Sequence, residues 1–101
     1  MKTTVAIELD KTRNLRYDVN SLVKIEELTG KPITTISTED IGIKDIRSII
    51  FAGLKWESKS LTLDKVGDLM SETMAEKGLE YLIEKISEGF ELAFGSGEEK
   101  N

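Results

Sequence analysis

The spacing of apolar residues changes once along this chain, near residue 20, and that change limits the folds open to it. Before it, Val5, Ile7 and Leu9 alternate with Ala6, Glu8 and Asp10, and Leu15, Tyr17 and Val19 alternate with Arg16 and Asp18. A period of two describes strands with one buried face. The run Asp10-Lys11-Thr12-Arg13-Asn14 between them is polar and suits a turn. The expectation is a β-hairpin with Val5, Ile7, Leu9, Leu15, Tyr17 and Val19 on its inner face. Two strands alone are barely stable in water, so later segments must cover that face.

After residue 20 the period becomes helical. Asn20 is a good N-cap for a short helix over 21–29, with Leu22, Ile25 and Leu28 on one side. Gly30 suits the left-handed position after a helix, and Pro32 stops any continuation. The Thr-rich stretch 33–42 reads as a loop with a short irregular turn. A second helix is expected over 43–57. Ile43, Ile46, Ile49, Ile50, Ala52, Gly53, Leu54 and Trp56 fill a broad arc of it, with Lys44, Ser48 and Lys55 opposite and Arg47 at one margin. Gly53 lies on the apolar arc, where an interior glycine costs about 1 kcal/mol against alanine. Its place there predicts a tight helix crossing.

Thr62 is the expected N-cap of a third helix over 63–77, striped by Leu63, Val66, Leu69, Met70 and Met74, with Gly67 at the edge of the stripe. Gly78 ends or bends it. A fourth helix over 79–94 carries Leu79, Leu82, Ile83, Ile86, Gly89, Phe90, Ala93 and Phe94 on one face. The whole is α+β, an N-terminal β-hairpin packed on a small bundle of about four helices. Residues 1–94 form one domain in this reading, and 95–101 are a flexible polar tail.

Composition narrows the chemistry. The chain has 101 residues, of which 39% are apolar and 33% charged. That is enough for one small core. It has no histidine and no cysteine, which removes the commonest general base, the thiol nucleophile and the usual zinc ligands. The absence of disulfides fits a reducing compartment. No stretch approaches the roughly 18 apolar residues of a membrane span, and the N-terminus lacks a signal-peptide pattern. A soluble cytoplasmic protein is the expectation. Residues 1–71 balance eleven acids against eleven bases, whereas 72–101 hold eight glutamates and three lysines, the whole of the net charge of −5. An acidic C-terminal third argues against nucleic acid and anionic membranes as partners. It is either a solvated helix face or a surface for a charge-patterned partner.

No catalytic, cofactor-binding or metal-binding residue emerges. Glu26 and Glu27, neighbours on a helix, point about 100° apart and do not converge. Glu39 and Asp40 form a second adjacent pair. Glu72, Glu76, Glu80, Glu84 and Glu88 would form a column on an unbroken helix, but no loop resembles a calcium site. Gly95-Ser96-Gly97 follows no strand and is not a phosphate loop. The unexplained side chains are apolar. Phe51, Trp56, Tyr81 and Leu92 lie beside charged residues, off the main stripes or at a helix end. Either neighbouring elements cover them, or they form a partner-binding surface rimmed by charge. The hairpin's open edge is a third candidate surface.

Three stretches carry a family resemblance: "LRYDVNSLVKIEELTGKPI", "IKDIRSIIFAGLKWESKSLTLDKVGDLM" and "GLEYLIEKISEGFELAFG". Their landmarks are Glu26-Glu27-Leu28-Thr29-Gly30, Ala52-Gly53-Leu54 and Leu61-Thr62-Leu63-Asp64-Lys65-Val66-Gly67, followed by an acidic last helix. In order and spacing, over about residues 14 to 95, they resemble the small tail assembly chaperones of long-tailed bacteriophages and gene-transfer agents. The resemblance implies a non-catalytic, cofactor-free protein that binds the tape-measure protein and keeps it soluble while tail-tube subunits polymerise around it. It implies absence from the finished virion. Contact with the tail-tube protein and self-association are further partners to expect. Many family members are also made in a longer form by a programmed ribosomal frameshift. Glu99-Lys100-Asn101, if encoded GAA-AAA-AAC, would contain the slippery heptamer A-AAA-AAC. The alternative is a small acidic regulatory adaptor that docks on one host or phage protein.

Overall fold

The computed structural model describes residues 3–37 and 40–95. Glu39 and residues 96–101 of the expected tail, with the frameshift codons, lie outside the described residues. Strands β1 (Val5–Glu8) and β2 (Thr12–Leu15) form an antiparallel two-stranded sheet, followed by helices α1 (Val19–Thr29), α2 (Ile43–Leu54), α3 (Leu63–Lys77) and α4 (Leu79–Phe94). A short 3₁₀ turn, Ile33–Thr35, lies in the loop after α1. The fold is the expected α+β hairpin on four helices.

The hairpin register pairs Val5 with Leu15 and Ile7 with Arg13. Its turn is shorter than the polar run implied, because Thr12, Arg13 and Asn14 belong to β2. Arg13 is buried on the inner face. Its guanidinium donates twice to the Asp10 carboxylate, from Nε to Oδ1 at 2.8 Å and from Nη2 to Oδ2 at 3.0 Å. Nη1 donates to Ser58 Oγ at 3.1 Å. A bidentate carboxylate is the partner that lets an arginine leave water.

Two expectations at the start of α1 are corrected. Val19 is not on the inner face of the hairpin; it is the first residue of α1 and is 73% exposed. The N-cap is Asp18, not Asn20, with its carboxylate accepting from Ser21 N at 2.9 Å. A carboxylate satisfies an orphan amide and also complements the positive helix end, so helix begins as soon as Asp18 is placed. The other end is as expected. Gly30 has φ 73° and donates its N–H to Glu26 O at 2.8 Å.

Helix α2 is central and touches α1, α3, α4 and β2. Ile46, Ile49, Ile50 and Leu54 are fully buried. Its expected polar side is covered only in part: Ser48 is buried, Lys44 stays exposed and Lys55 is half-buried, while Asp45 beside them is buried too. Lys31 Nζ reaches Asp45 Oδ2 at 2.7 Å, and Ser48 Oγ donates to Lys44 O at 3.1 Å. Ile43, by contrast, is 51% exposed. The helix ends at Leu54, three residues before the expected 57. The cause is local. A continuing helix would use Gly53 O to accept from Glu57 N, but Arg16 N takes that carbonyl at 2.9 Å.

Gly53 does not mark a helix crossing. A Cβ there would stand 2.7 Å from both Cζ and Oη of Tyr17. A Cβ on Gly89 of α4 would stand 2.6 Å from Cε2 of the same ring. The glycines receive opposite edges of one phenol, whose hydroxyl donates to Ile49 O at 2.9 Å. Burial pushes that hydroxyl's pKa well above its usual value.

Helix α3 is capped by Thr62, whose hydroxyl accepts from Lys65 N at 3.1 Å. Gly78 breaks the chain between α3 and α4 with φ 89° and ψ 159°, a conformation open in practice to glycine. The glutamate column is therefore divided, with Glu72 and Glu76 on α3 and Glu80, Glu84 and Glu88 on α4.

Candidate interaction surface

The four side chains singled out from the sequence lie at four separate places. Trp56 is in the turn after α2, 37% exposed. Its indole N–H donates to Asn14 O at 2.8 Å, and the Arg16 guanidinium lies 5.4 Å above its ring. Next to it, Glu57 accepts from Asn14 N at 2.9 Å. Both outward-facing polar groups of Asn14 are thus taken. Tyr81, half-buried on α4, accepts from Glu8 N at 2.9 Å, and Lys77 and Lys85 flank its ring. Thr73 Oγ1 approaches Glu8 O at 3.5 Å.

These contacts close the hairpin edges at Asn14 and Glu8. The open edge expected from the sequence is capped by side chains at those two residues. Phe51 is half-buried against the core, with Lys55 Nζ 5.3 Å from its ring centre. Leu92 is 39% exposed and lines a hollow of about 310 Å³ with Arg16, Asp18 and Gly89. Of the four, Trp56 and Leu92 present substantial surface, and Arg16 stands beside both.

The sequence missed other exposed apolar groups. Val23 on α1, Ile43 on α2 and Phe94 on α4 are exposed, although Ile43 and Phe94 were expected on buried faces. Ile43 opens a groove of about 400 Å³ between α2 and α3, lined also by Lys44, Arg47, Gly67, Met70 and Met74. The Arg47 side chain crosses Gly67, its Cδ 3.5 Å from where a Cβ would be. Its Nη1 is 3.9 Å from Asp64, and its Nε is buried without a hydrogen-bond partner. The groove floor is apolar and methionine-bearing, and its rim is cationic. Two helical methionines four residues apart beside a glycine were the legible signal for it.

Chemistry is sparse. Among the described residues no group of three or more acidic side chains is placed to hold a metal ion. Among them, too, no helix is long and apolar enough to cross a membrane. Depressions among the described residues that offer binding surface include the hollow beside Leu92, the methionine groove, and a groove of about 390 Å³ between α1 and α2. Compared with protein-family models, with curated proteins and with solved structures, the chain matches none.

Proposed function

We propose that this protein is a tail assembly chaperone of a long-tailed bacteriophage, which binds the tape-measure protein in the host cytoplasm without catalysis. The motif order of the sequence suggests the family. The structural observation that carries the reading is the methionine groove between α2 and α3. Met70 and Met74 are unbranched and adaptable, so they can accept many different apolar side chains. A long helical client offers many similar but non-identical segments, and a groove of this kind tolerates that variety. Lys44 and Arg47 at the rim suit acidic residues beside the apolar anchor.

The test is co-expression with a tape-measure protein from the same genome, with a longer form of the chaperone supplied if the gene encodes one. The tape measure should become soluble and co-purify. Ile43→Asp should abolish capture while the circular dichroism spectrum stays unchanged. A tape measure that stays insoluble beside folded chaperone overturns the reading. So does recovery of this chain from purified virions. Capture of one folded host or phage protein in its place would establish a regulatory adaptor.

A further inference from the structure

We propose that the groove between α1 and α2 docks an acidic peptide segment of another protein, with an apolar side chain of that segment seated against Trp56 and its carboxylates on the surrounding lysines. The groove holds about 390 Å³, and Lys24, Lys55 and Lys59 stand around Ala52 and Trp56. Ala52 is buried, whereas Trp56 is 37% exposed. Lysine stems add apolar surface beneath their ammonium groups. Trp56 is also fixed in advance. Its indole N–H donates to Asn14 O at 2.8 Å, and the Arg16 guanidinium lies 5.4 Å from the centre of its ring. A ring already held still loses little entropy when a partner packs on it, and tryptophan is a favoured anchor at binding surfaces.

The charges around the ring lack acidic partners. Lys55 Nζ donates to the carbonyl oxygens of Lys59 at 2.6 Å and Leu61 at 3.5 Å, which carry no net charge. Among the described residues no acid lies within ion-pair distance of Lys55 or Lys59. Lys24 has an exposed pairing with Glu27 at 3.5 Å, of a kind that contributes little. Among the described residues Asp18 is the acid that lines the groove, and its carboxylate is engaged in capping α1. Its Oδ1 accepts from N of Ser21 at 2.9 Å and from Oγ at 3.0 Å. Arg16 carries the positive charge on to the hollow beside Leu92.

The chain as a whole has a net charge of −5, so this face reverses the sign of the molecule locally. An acidic segment is steered to it and away from the glutamates of α3 and α4. Nucleic acid fits less well. Its phosphates call for a continuous basic track, whereas Asp18 and Glu27 interrupt this one and the floor is apolar. The groove shares no lining residue with the methionine groove, so the proposal does not rest on the tape-measure reading.

Trp56 is the one tryptophan of the chain, so its fluorescence reports on this groove. A short glutamate-rich peptide with a central leucine is titrated onto the full chain, beside a lysine-rich peptide and a single-stranded oligonucleotide. The acidic peptide should change the Trp56 emission saturably, and the other two should not. Raised salt should weaken binding, since exposed pairs are screened. Replacing the peptide's leucine by glycine should weaken it too. Lys24→Glu with Lys59→Glu should weaken it by about tenfold or more. Both lysines are exposed, and circular dichroism checks that the variant folds. No tape-measure protein is present, so failure here and failure of the proposed function are separate results. An unchanged emission, an equal response to the lysine-rich peptide or the oligonucleotide, or a reversed variant that binds as tightly as the native chain would each overturn the proposal. So would a doubled mass of the peptide-free chain that the same reversals abolish, since the groove would then belong to a second copy.

Discussion

The ring of Tyr17 fills the space that a side chain on Gly53 would need, its Cζ and Oη both 2.7 Å from the absent Cβ. Gly89 meets the opposite edge of the ring at 2.6 Å. Gly67, on α3, meets nothing closer than 3.5 Å. The three helical glycines should therefore respond differently to alanine. Gly67→Ala gains the intrinsic helix preference and should stabilise by up to about 1 kcal/mol. At Gly53 and Gly89 the same gain is outweighed, because the ring is buried and has no room to retreat. Each should lose about 1–3 kcal/mol net. Urea denaturation of the three variants checks the order. A stabilised Gly53→Ala protein would show that the ring is not held there.

Tyr17, just after β2, bonds α2 through its hydroxyl and meets α4 through Phe90, whose ring lies edge-on at a centroid distance of 5.2 Å. Tyr17→Phe keeps the ring and loses the bond to Ile49 O, for a cost of about 1 kcal/mol. It also removes one of the two atoms nearest Gly53. In a double-mutant cycle, Tyr17→Phe should cost less in the Gly53→Ala background than in the native one. Additive losses would separate the hydroxyl from the glycine.

The parts of the fold legible in the sequence were those set by neighbours along the chain. Thr62 as a cap, Gly30 as a stop and the bounds of α3 and α4 all follow from residues within one turn of each other. The misreadings arise where a distant residue decides. Ser48 looks solvated on a helix wheel, yet α1 packs on α2 and Ser48 is buried. α2 stops early because Arg16, far away in sequence, takes the carbonyl of Gly53. Gly53 was legible as a close approach, but whether backbone or ring arrives there depends on Tyr17. The proposed interaction surfaces were legible only in part. Trp56 and Leu92 showed as apolar residues beside charge, whereas Tyr81 proved to be a strut for β1, and the exposure of Ile43 could not be read from a helix wheel.

Trp56 gives a local test of how the hairpin edge is closed. Its N–H to Asn14 O is independent of the stacking of Arg16 on its ring. Trp56→Phe keeps an aromatic surface and deletes the hydrogen bond. Stability should fall by about 1 kcal/mol. Amide exchange at Asn14 and Arg16 should quicken more than exchange within α3, because the end of α2 holds both amides. Uniform quickening across the molecule would show a global effect and not a released edge.

The Asp10–Arg13 pair predicts a pH dependence with a definite sign. Hydrogen bonds from the Arg13 side chain, reinforced by its charge, hold the Asp10 carboxyl at a pKa of about 2 against an ordinary 3.8. The folded state therefore binds this proton less readily than the unfolded state does. The resulting stability is complete above the ordinary carboxylate range and is lost as pH falls towards about 2. Asp10 is 37% exposed on its side chain, so solvent screening limits the contribution to about 1 kcal/mol or less. Asp18 titrates in the same direction, held low by the Ser21 amide, so the native chain alone does not isolate the pair. Asp10→Asn does. Its stability deficit should be largest near neutral pH and should shrink as acid removes the native charge. A deficit that stays constant down to about pH 2 would mean that Asp10 acts through the shape of the turn and not through its charge on Arg13.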